Sequence, residues 1–369
     1  YEADLFQPIP NFALYSVRDE RAIFWTFGAI GGGGDLEYKD GVAGIAVIPD
    51  IINGSPLLGL TNAKDIGSSA EGTNMYVQNT LGRAWMINDK LSMSIAARAV
   101  LGMRNLKGDL NVTAEKDGHT LPIHAEIDSE RTAWGFGGQI GFNYRASDRL
   151  NLALRYDTRV KMNFKASGTE NKAGLGALFG HSGNKDFDLG FSDFYPEYAP
   201  GVKYRRDLPA ILAAGASYKV TDRWTMALSG NYYFNKDAKM DKTKGSGILE
   251  KLGSKHFEPE YDNGWEIAVG TEYKLTDKWT WIGSVNYADT GAKKNSYDDI
   301  EYALNSIMVG TGLKYKPNDT MEWVATVSHF FYDGKTGNYV EKYPGNGKIV
   351  EQKYDKSISA VGLGFTKKF

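Results

Sequence analysis

The stretch Leu150-Asn-Leu-Ala-Leu-Arg-Tyr-Asp-Thr-Arg-Val-Lys-Met-Asn-Phe164 alternates between an apolar row and a polar row. Its even positions are mostly large and apolar, whereas its odd positions include four charged residues. Because successive side chains of a β-strand point to opposite faces, this period of two predicts a strand with one apolar and one charged face. A row of charges is costly in a dry core, which argues against the alternative of a soluble β-sandwich.

Two further stretches repeat the pattern and place aromatic residues near both ends of the apolar row. They are 134–144, which begins with Trp134 and ends with Tyr144, and 265–275, which runs from Trp265 to a tyrosine near its end. Aromatic residues that bracket an apolar strand are typical of the two interfaces of a lipid bilayer. The sequence therefore predicts an all-β fold, a transmembrane antiparallel β-barrel with a polar lumen.

The alternation in 150–164 also predicts which side chains face lipid. We expect the charged row to face the lumen and the apolar row to face lipid, because an arginine at the lipid-facing midplane would cost about 2–4 kcal/mol. A shift of one residue would exchange the two rows. The luminal row contains Arg155, Asp157, Arg159 and Lys161, and the lipid-facing row contains Leu152, Leu154, Tyr156, Val160 and Met162.

Short polar turns alternate with long polar loops along the chain. The turns contain the Asp and Asn residues that favour tight turns, as in Thr221-Asp-Arg223 and Thr276-Asp-Lys278. Short turns on one side and long loops on the other are typical of the periplasmic and extracellular ends of an outer-membrane barrel. The predicted loops lie around 113–130, 167–203, 235–262, 288–304 and 333–356.

The predicted strands number about thirteen, whereas single-chain bacterial barrels have an even number. The first and last predicted strands would both run toward the periplasm, so they cannot pair as antiparallel neighbours. We therefore expect fourteen strands, with one ascending strand before Tyr1. The predicted strands lie near 6–17, 21–38, 72–87, 91–112, 130–146, 150–166, 204–220, 224–236, 261–275, 279–289, 305–316, 321–332 and 357–369.

Composition excludes several other classes of protein. The chain has no cysteine, which removes disulfide frameworks and thiolate metal sites, and its net charge of −2 gives no field for nucleic acid. No segment is long and apolar enough for a transmembrane helix, since the best one, Val42 to Ala63, is interrupted by Pro49, Asp50 and Pro56.

Three stretches resemble the FadL-like outer-membrane transporters of long-chain fatty acids and other hydrophobic compounds (OmpP/FadL/TodX type). The first is the hairpin of Trp134–Tyr144 and Leu154–Phe164, and the second is Asp207-Leu-Pro209. The third is Pro8-Ile-Pro-Asn-Phe12 followed by Phe24-Trp-Thr-Phe-Gly28 and a glycine run.

The resemblance implies fourteen strands, an N-terminal hatch that fills the barrel and a kinked third strand that opens a side exit. Neither the hatch with its Asn-Pro-Ala motif nor the first strand is found in this chain. We interpret residues 1–369 as a single, N-terminally incomplete outer-membrane barrel domain.

A glycine run inside a predicted strand suggests a break in the barrel wall. Consecutive glycines weaken strand pairing and often mark a bulge. By the resemblance, the run is a lateral gate into the bilayer; the alternative is that it only begins a loop at the outer end of the strand. The gate residues are Gly28, Gly31, Gly32, Gly33 and Gly34.

The predicted loop at 42–60 is unusually apolar for an external loop. An exposed apolar patch often marks a binding site, so the loop is a candidate for the groove that first captures ligand. The alternative is a loop that packs against itself or dips into lipid. The candidate contacts are Val42, Ile45, Val47, Ile48, Ile51, Leu57 and Leu58.

Inward-pointing cations are candidates for binding a carboxylate, because arginine can hold one with two hydrogen bonds. The alternative is that luminal charges pair with one another, since Asp157 and Glu272 are available. The candidates are Arg98, Arg155 and Arg159, together with Arg104 and Lys161.

The histidines show no metal-ligand spacing, and no Ser-His-Asp arrangement is detectable, so we expect no catalytic site, metal or cofactor. The loop Asp186–Asp193 is acidic enough to hold a divalent cation, but a solvated loop is the favoured interpretation. The predicted function is passive outer-membrane transport of long-chain fatty acids or other hydrophobic compounds by lateral diffusion through the wall. The alternative is a general porin or a surface-binding barrel for polar solutes. Expected partners are the hydrophobic ligand, outer-membrane lipid, lipopolysaccharide and an outer-membrane protein complex.

Overall fold

A computed structural model describes residues 2–3, 5–54, 59–176, 183, 185–241, 260–297, 301–337 and 352–369. Most of them lie in one large antiparallel sheet. The strands are β1 (Asn11–Arg18), β2 (Arg21–Tyr38), β3 (Thr61–Asp65), β4 (Ser69–Met86), β5 (Leu91–Lys116), β6 (His119–Arg145), β7 (Leu150–Asp157), β8 (Asn163–Asn171), β9 (Ala173–Gly174), β10 (Asp188–Leu189), β11 (Lys203–Arg205), β12 (Ile211–Lys219), β13 (Trp224–Tyr233), β14 (Gly264–Lys274), β15 (Trp279–Asp289), β16 (Ser306–Asn318), β17 (Met321–Tyr332), β18 (Lys335–Gly337), β19 (Gln352–Tyr354) and β20 (Ser357–Lys367).

Helices are short and lie in the connections between strands. No helix among the described residues is long and apolar enough to cross a membrane. The α-helices are α1 (Ala43–Ala46), α2 (Ile48–Gly54) and α3 (Phe191–Phe194), and 3₁₀ turns occupy Lys185–Phe187, Pro196–Tyr198, Asn235–Asp237 and Lys294–Ser296.

The main path of the sheet runs β1-β2-β4-β5-β6-β7-β12-β13-β14-β15-β16-β17-β20, with β3, β8 and β11 paired beside it. As predicted, β1 and β20 do not pair with each other among the described residues. Both edges nevertheless line one cavity of about 1300 Å³, so the two ends of the sheet approach each other. The expected total of fourteen strands stays a prediction.

The sheet curls around a lumen and turns its apolar rows outward. Arg104 of β5 reaches Glu301, which lies between β15 and β16 on the far side of the path. Large apolar side chains such as Leu154, Val269 and Val309 are more than two-fifths exposed on the outer face. An exposed apolar band of this extent suits lipid contact, and aromatic residues such as Trp265 and Tyr273 mark its two ends.

The predicted strand 150–166 is not continuous, and the reason is a change of face after Asp157. On one side of the break Asp157 pairs with Gln139 of β6, and on the other side Lys165 pairs with Thr132. The chain advances eight residues (157 to 165) while β6 retreats seven (139 to 132), so the two rows exchange faces. We call residues 158–164, which dip into the lumen, the crossover.

At the crossover, the structure differs from the prediction of which side chains face lipid and which face the lumen. Leu152, Leu154 and Tyr156 are exposed on the outer face as predicted, but Val160 and Met162 are fully buried inside the barrel. Arg159 and Lys161 are exposed on the row that continues to Lys165, outside the lumen. The prediction is therefore correct before Asp157 and wrong after it.

Glycines of β6 make room for the crossover. A Cβ atom on Gly135 would lie 2.7 Å from the carbonyl oxygen of Lys161 and would also collide with the side chains of Met162 and Val160. The backbone of Thr158 donates a hydrogen bond to the carbonyl oxygen of Gly138 at 2.9 Å, which fixes the start of the dip. From Ala133 to Gly137, β6 has no strand partner on this side among the described residues.

The predicted loop at 113–130 is largely a strand hairpin instead. Strands β5 and β6 continue to Lys116 and His119, where Asp117 and Gly118 form the turn. The inner row of this extension carries Ile123, Ala125 and Ile127. It packs against α1, α2 and α3 to form an extracellular apolar cluster of Tyr38, Val42, Ile45, Val47, Ile48, Ile51, Ile52, Leu60, Leu106, Leu110, Val112, Ile123, Ile127, Leu189, Phe191, Tyr195 and Tyr198, among others.

Candidate ligand-binding site

The predicted gate glycines lie inside β2, so the alternative that the run begins a loop is wrong. Pairing of β1 with β2 ends at Asn11 and Gly28, and β2 continues beyond that point paired only with β4. Two bulges interrupt the β2–β4 pairing, between Ala29 and Gly31 and between Gly32 and Gly34.

Two of these glycines have backbone conformations that favour glycine. Gly32 and Gly34 have φ values of 91° and 88°. Gly31 and Gly33 have room for a side chain, since an added Cβ would lie 3.8 Å from the ring of Tyr76 and 3.9 Å from Leu5 respectively. The lateral-gate role of the run stays a prediction.

The apolar loop does not present the expected exposed patch. Val42, Ile45, Val47, Ile48 and Ile51 are all buried, because α1 and α2 turn them toward the inner row of β5 and β6. Burying these side chains in a cluster removes them from water. Leu57 and Leu58 lie outside the described residues.

The predicted luminal arginines are each engaged by protein groups. Arg98 is buried, and it donates to Gln78 Oε1 at 2.9 Å and to the carbonyl oxygen of Thr158 at 3.3 Å. It therefore tethers the start of the crossover. Arg155 Nε lies 3.3 Å from Asp157 Oδ1, as the pairing alternative predicts.

Arg159 is also engaged, outside the lumen. Its Nε lies 3.5 Å from Asp207 Oδ2, and its Nη1 donates to the carbonyl oxygen of Asp237 at 2.7 Å. Direct ligand contact by Arg98, Arg155 or Arg159 stays a prediction, and the structure gives each a local structural partner.

A second group of arginines, which we call the inner arginine cluster, lies where the barrel meets its extracellular cap; two of its members are fully buried and the third is partly exposed. Its members are Arg104, Arg131 and Arg206. Arg104 Nη2 lies 2.5 Å from Glu301 Oε1, and Arg206 Nη1 lies 2.6 Å from Glu301 Oε2. Arg131 Nη1 is 3.8 Å from Glu197 Oε1. Three guanidinium groups thus face two carboxylates, which leaves one positive charge in excess.

Arg131 lacks hydrogen bonds although its side chain is fully buried. None of its three guanidinium nitrogens has a hydrogen-bond partner in the described part of the chain, and Nε and Nη1 of Arg104 also lack one. The guanidinium lies 4.3 Å from the ring centroid of Tyr198 and 5.5 Å from those of Phe164 and Tyr204. Aromatic faces stabilise the charge but leave its N–H groups free for an incoming acceptor.

Glu301, in the connection between β15 and β16, is held ionised by the cluster. Burial alone would raise the pKa of its carboxyl, but the adjacent Arg104 and Arg206 outweigh that effect and lower the pKa to about 2. Because Glu301 stays charged, it neutralises part of the cluster at all physiological pH values.

Sequence reasoning named Arg104 but missed Arg131 and Arg206. The sequence places Arg131 only at the margin of a strand, because it predicts a loop at 113–130. The alternation of 121–133, with Ile123, Ala125 and Ile127 on the row of Arg131, carried the signal.

An apolar cluster lies directly beside the arginines inside the barrel. Phe164 links the two groups, since its ring lies under Arg104 and Arg131 and contacts Tyr76 edge-on with centroids 6.2 Å apart. We call this set the inner apolar cluster; it consists of Tyr76, Val100, Ala133, Val160, Met162 and Phe164.

Among the described residues, the structure brings together one group of metal-ligand type that sequence spacing did not show. Ligand atoms of Asp109, His124 and Glu126 all lie within 4.8 Å of one another on the outer surface of the β5–β6 hairpin. In the predicted acidic loop, Asp193 is buried and lies 3.2 Å from Lys172 Nζ, so a protein cation already balances it.

Comparison with known proteins shows that most of the chain matches a protein family. Residues 61–369 match the family model described as outer membrane protein transport protein (OMPP1/FadL/TodX). A 47 kDa outer membrane protein of Pasteurella multocida is 24% identical over 204 residues, covering 55% of this chain and 45% of that protein. A long-chain fatty acid transport protein of Salmonella typhi is 22% identical over 246 residues, covering 61% and 52%. The chain thus spans about half the length of these relatives.

Two solved structures share the fold. A FadL homologue of Pseudomonas aeruginosa superposes with a TM-score of 0.62 at 15% identity, covering 97% of this chain and 78% of that one. The toluene transporter TodX of Pseudomonas putida has a TM-score of 0.58 at 13% identity, covering 97% and 82%.

Proposed function

Since the chain belongs to the OMPP1/FadL/TodX family of outer-membrane transport proteins, we propose that it carries long-chain fatty acids or similar hydrophobic carboxylates across the outer membrane. Transport is passive, and release is lateral, through the bulged wall at Gly28–Gly34. The fatty acid transport protein of Salmonella typhi supports this substrate class, whereas the toluene transporter TodX, a structural neighbour, supports the wider class of hydrophobic compounds.

The observation that carries the proposal is Arg131, a buried cation without hydrogen bonds beside an apolar cluster. A charged group in this position favours a ligand with an anionic end, because a carboxylate would satisfy N–H groups that are otherwise unpaired. Phe164 then marks the boundary between the site for the carboxylate and the site for the acyl chain. A neutral hydrocarbon would leave the excess charge uncompensated.

The inner apolar cluster supports a greasy ligand over a polar solute. Each CH₂ group removed from water is worth about 0.8 kcal/mol, so an acyl chain gains from continuous apolar contact. The crossover fills part of the lumen with Val160, Met162 and Phe164. This narrowing favours transport of a hydrophobic compound over the alternative of a general porin.

The test is uptake by cells that express the full-length protein with Arg131→Met, which keeps the side-chain length and removes the charge. We expect uptake of a labelled long-chain fatty acid to fall about tenfold or more, since a hydrogen bond to a charged group contributes about 1.5–3 kcal/mol. Uptake of the fatty alcohol of equal length should stay unchanged. Arg149→Met is the matched control, because it removes an exposed arginine from the short turn between β6 and β7, away from the proposed site.

The amount of folded barrel in each variant is compared by its heat-dependent gel mobility in outer-membrane preparations. Unchanged fatty acid uptake by a correctly assembled Arg131→Met variant would rule out the carboxylate site. Rapid uptake of a small hydrophilic sugar by the parent protein would favour the porin alternative.

A further inference from the structure

The change of face at the crossover places a basic surface on the outside of the barrel. Three neighbouring segments form it, namely 159–165, 203–209 and 239–241. Lys203 pairs with Lys165 and Arg205 with Asn163. Single bridges join Val160 to Leu208 and Arg206 to Met240, which continues the same alignment across all three segments.

The alternation along these segments fixes which side chains share the outer face. Phe164 and Tyr204, which pair with each other, are buried inside, so the flanking residues of both segments point outward. The exposure of Lys161, Lys165 and Lys203 agrees with this assignment. We call the resulting set the outer basic patch; it comprises Arg159, Lys161, Lys165, Lys203, Arg205 and Lys239.

The patch carries more positive than negative charge. Two acidic residues lie among its six cations, Asp207 and Asp241. Asp207 is buried and lies 3.5 Å from Arg159 and 2.7 Å from Arg205, so it holds these arginines in place. Asp241 accepts a hydrogen bond from the backbone nitrogen of Arg205 at 2.7 Å.

Among the described residues, the lysines of the patch have no such acidic partners. Within the described ranges, no acidic oxygen lies within 4.0 Å of the ammonium groups of Lys161, Lys165 or Lys203. Like charges on adjacent strands repel one another, as in the direct pairing of Lys165 with Lys203. An external anion would relieve that repulsion.

The patch lies at the outer boundary of the apolar band. On β6 the lipid-facing row ends in Phe136 and Trp134, which are 72% and 59% exposed, and turns polar at Thr132, the partner of Lys165. On β7 the row ends in Tyr156, three residues before Arg159. Exposed aromatic residues at this level mark the interface between hydrocarbon and headgroups.

We propose that the outer basic patch binds the phosphate groups of lipopolysaccharide, the phosphorylated glycolipid of the outer leaflet. The recessed wall of the crossover gives the headgroup a lateral recess, bounded by the exposed rings of Trp134 and Phe136. The acyl chains then lie against the apolar band below. This inference is independent of the transported ligand, because the patch is outside the lumen.

The test compares lipopolysaccharide binding by the full-length protein and by the triple variant Lys161→Gln, Lys165→Gln, Lys203→Gln. Purified lipopolysaccharide and its enzymatically dephosphorylated form are titrated into each protein in detergent, and bound lipid is counted by native mass spectrometry. We expect the triple variant to bind the phosphorylated form on the order of 100-fold more weakly, since each basic residue near an anionic surface contributes roughly a factor of five.

A matched control removes three cations from the periplasmic turns through Lys90→Gln, Arg149→Gln and Lys278→Gln. It should bind as the parent does, and its folding state and that of the triple variant are compared by heat-dependent gel mobility. Equal binding by the parent and a folded triple variant would overturn the proposal. So would parent protein that binds the dephosphorylated form as tightly as the phosphorylated one.

Discussion

At the scale of single residues, the main feature of the barrel is a group of charged side chains that are largely shielded from water. Arg131 is buried with aromatic rings on several sides and, in the part of the chain that the structure describes, no hydrogen bond, whereas Glu301 bridges Arg104 and Arg206. A buried guanidinium without acceptors is costly unless something supplies them. Glu301 pairs with one nitrogen of each of Arg104 and Arg206, whereas the guanidinium of Arg131 has no hydrogen-bond partner among the described residues. Under the proposed function, an anionic ligand completes this cluster.

The low pKa of Glu301 has a testable consequence for stability. A carboxyl whose pKa falls from 4.5 to about 2 on folding stabilises the native state above pH 4.5 and loses that contribution as the pH falls toward 2. Glu301→Gln should lower the free energy of unfolding by up to about 3–5 kcal/mol at neutral pH, because it leaves the buried Arg104 and the partly exposed Arg206 without their carboxylate. We compare the unfolding temperatures of the variant and the parent in detergent from pH 7 to pH 2. The difference between them should shrink below pH 4.5.

Asp89→Asn is the control for this measurement, since Asp89 is an exposed carboxylate in a short turn. The unfolding temperature of Asp89→Asn should stay close to that of the parent from pH 7 to pH 2. A difference between parent and Glu301→Gln that grows on acidification would contradict the assigned pairing.

At the scale of elements, the change of face after Asp157 explains both proposed sites. It brings Val160, Met162 and Phe164 into the lumen beside the inner arginine cluster. It also turns Lys161 and Lys165 outward. A bulge with one extra residue is sufficient for this, because the period of a strand is two.

The crossover depends on the missing side chain of Gly135. In Gly135→Ala the new methyl group would meet the backbone of Lys161 and the side chains of Met162 and Val160. We expect a loss of about 1–3 kcal/mol, as for other overpacked sites, measured by chemical unfolding in detergent. Gly138→Ala is the matched control on the same strand, since its Cβ would lie 3.8 Å from the nearest atoms. Equal stability of the two variants would show that the crossover is not packed on β6 as described.

The strands themselves were largely predictable from the sequence, whereas the crossover was not. The predicted bounds 21–38, 279–289 and 321–332 agree with β2, β15 and β17. In 150–164 the even row is apolar except at Thr158, because it faces lipid up to Tyr156 and the inner apolar cluster from Val160 onward. Both surroundings select apolar residues, so periodicity alone does not reveal the exchange of faces.

The inner arginine cluster could not be predicted from the sequence, for a different reason. Its members come from β5, from β6 and from the segment between β11 and β12, and Glu301 lies almost one hundred residues later. Only the closure of the sheet brings these positions together, and alternation within one strand carries no information about distant strands.

At the scale of the whole molecule, the candidate sites form a continuous series. Tyr198 connects the extracellular apolar cluster to the inner arginine cluster. It is a buried member of the first, and its ring faces Arg131 of the second. Phe164 connects the arginines to Tyr76. Tyr76 in turn pairs with Gly31, at the bulges of β2. The extracellular apolar cluster and the proposed carboxylate and exit sites are therefore linked by direct neighbours.

This series predicts that the exit can be blocked without disturbing the carboxylate site. The double variant Gly31→Val, Gly33→Val adds side chains at the two gate positions where a Cβ has room, 3.8 Å from Tyr76 and 3.9 Å from Leu5. Gly32 and Gly34 are left unchanged, because their positive φ values would strain any other residue. We expect uptake of a labelled fatty acid and of the corresponding fatty alcohol to fall together, since both leave by one route.

Gly138→Val serves as the control, because it adds the same side chain to the outer face of β6, where a Cβ atom lies 3.8 Å from its nearest neighbours. The double variant should still bind fatty acid in detergent with the affinity of the parent, whereas Arg131→Met should lose that affinity. Loss of uptake with retained binding thus identifies a blocked exit. Undiminished uptake by a correctly assembled double variant would place the exit elsewhere in the wall and leave the carboxylate site standing.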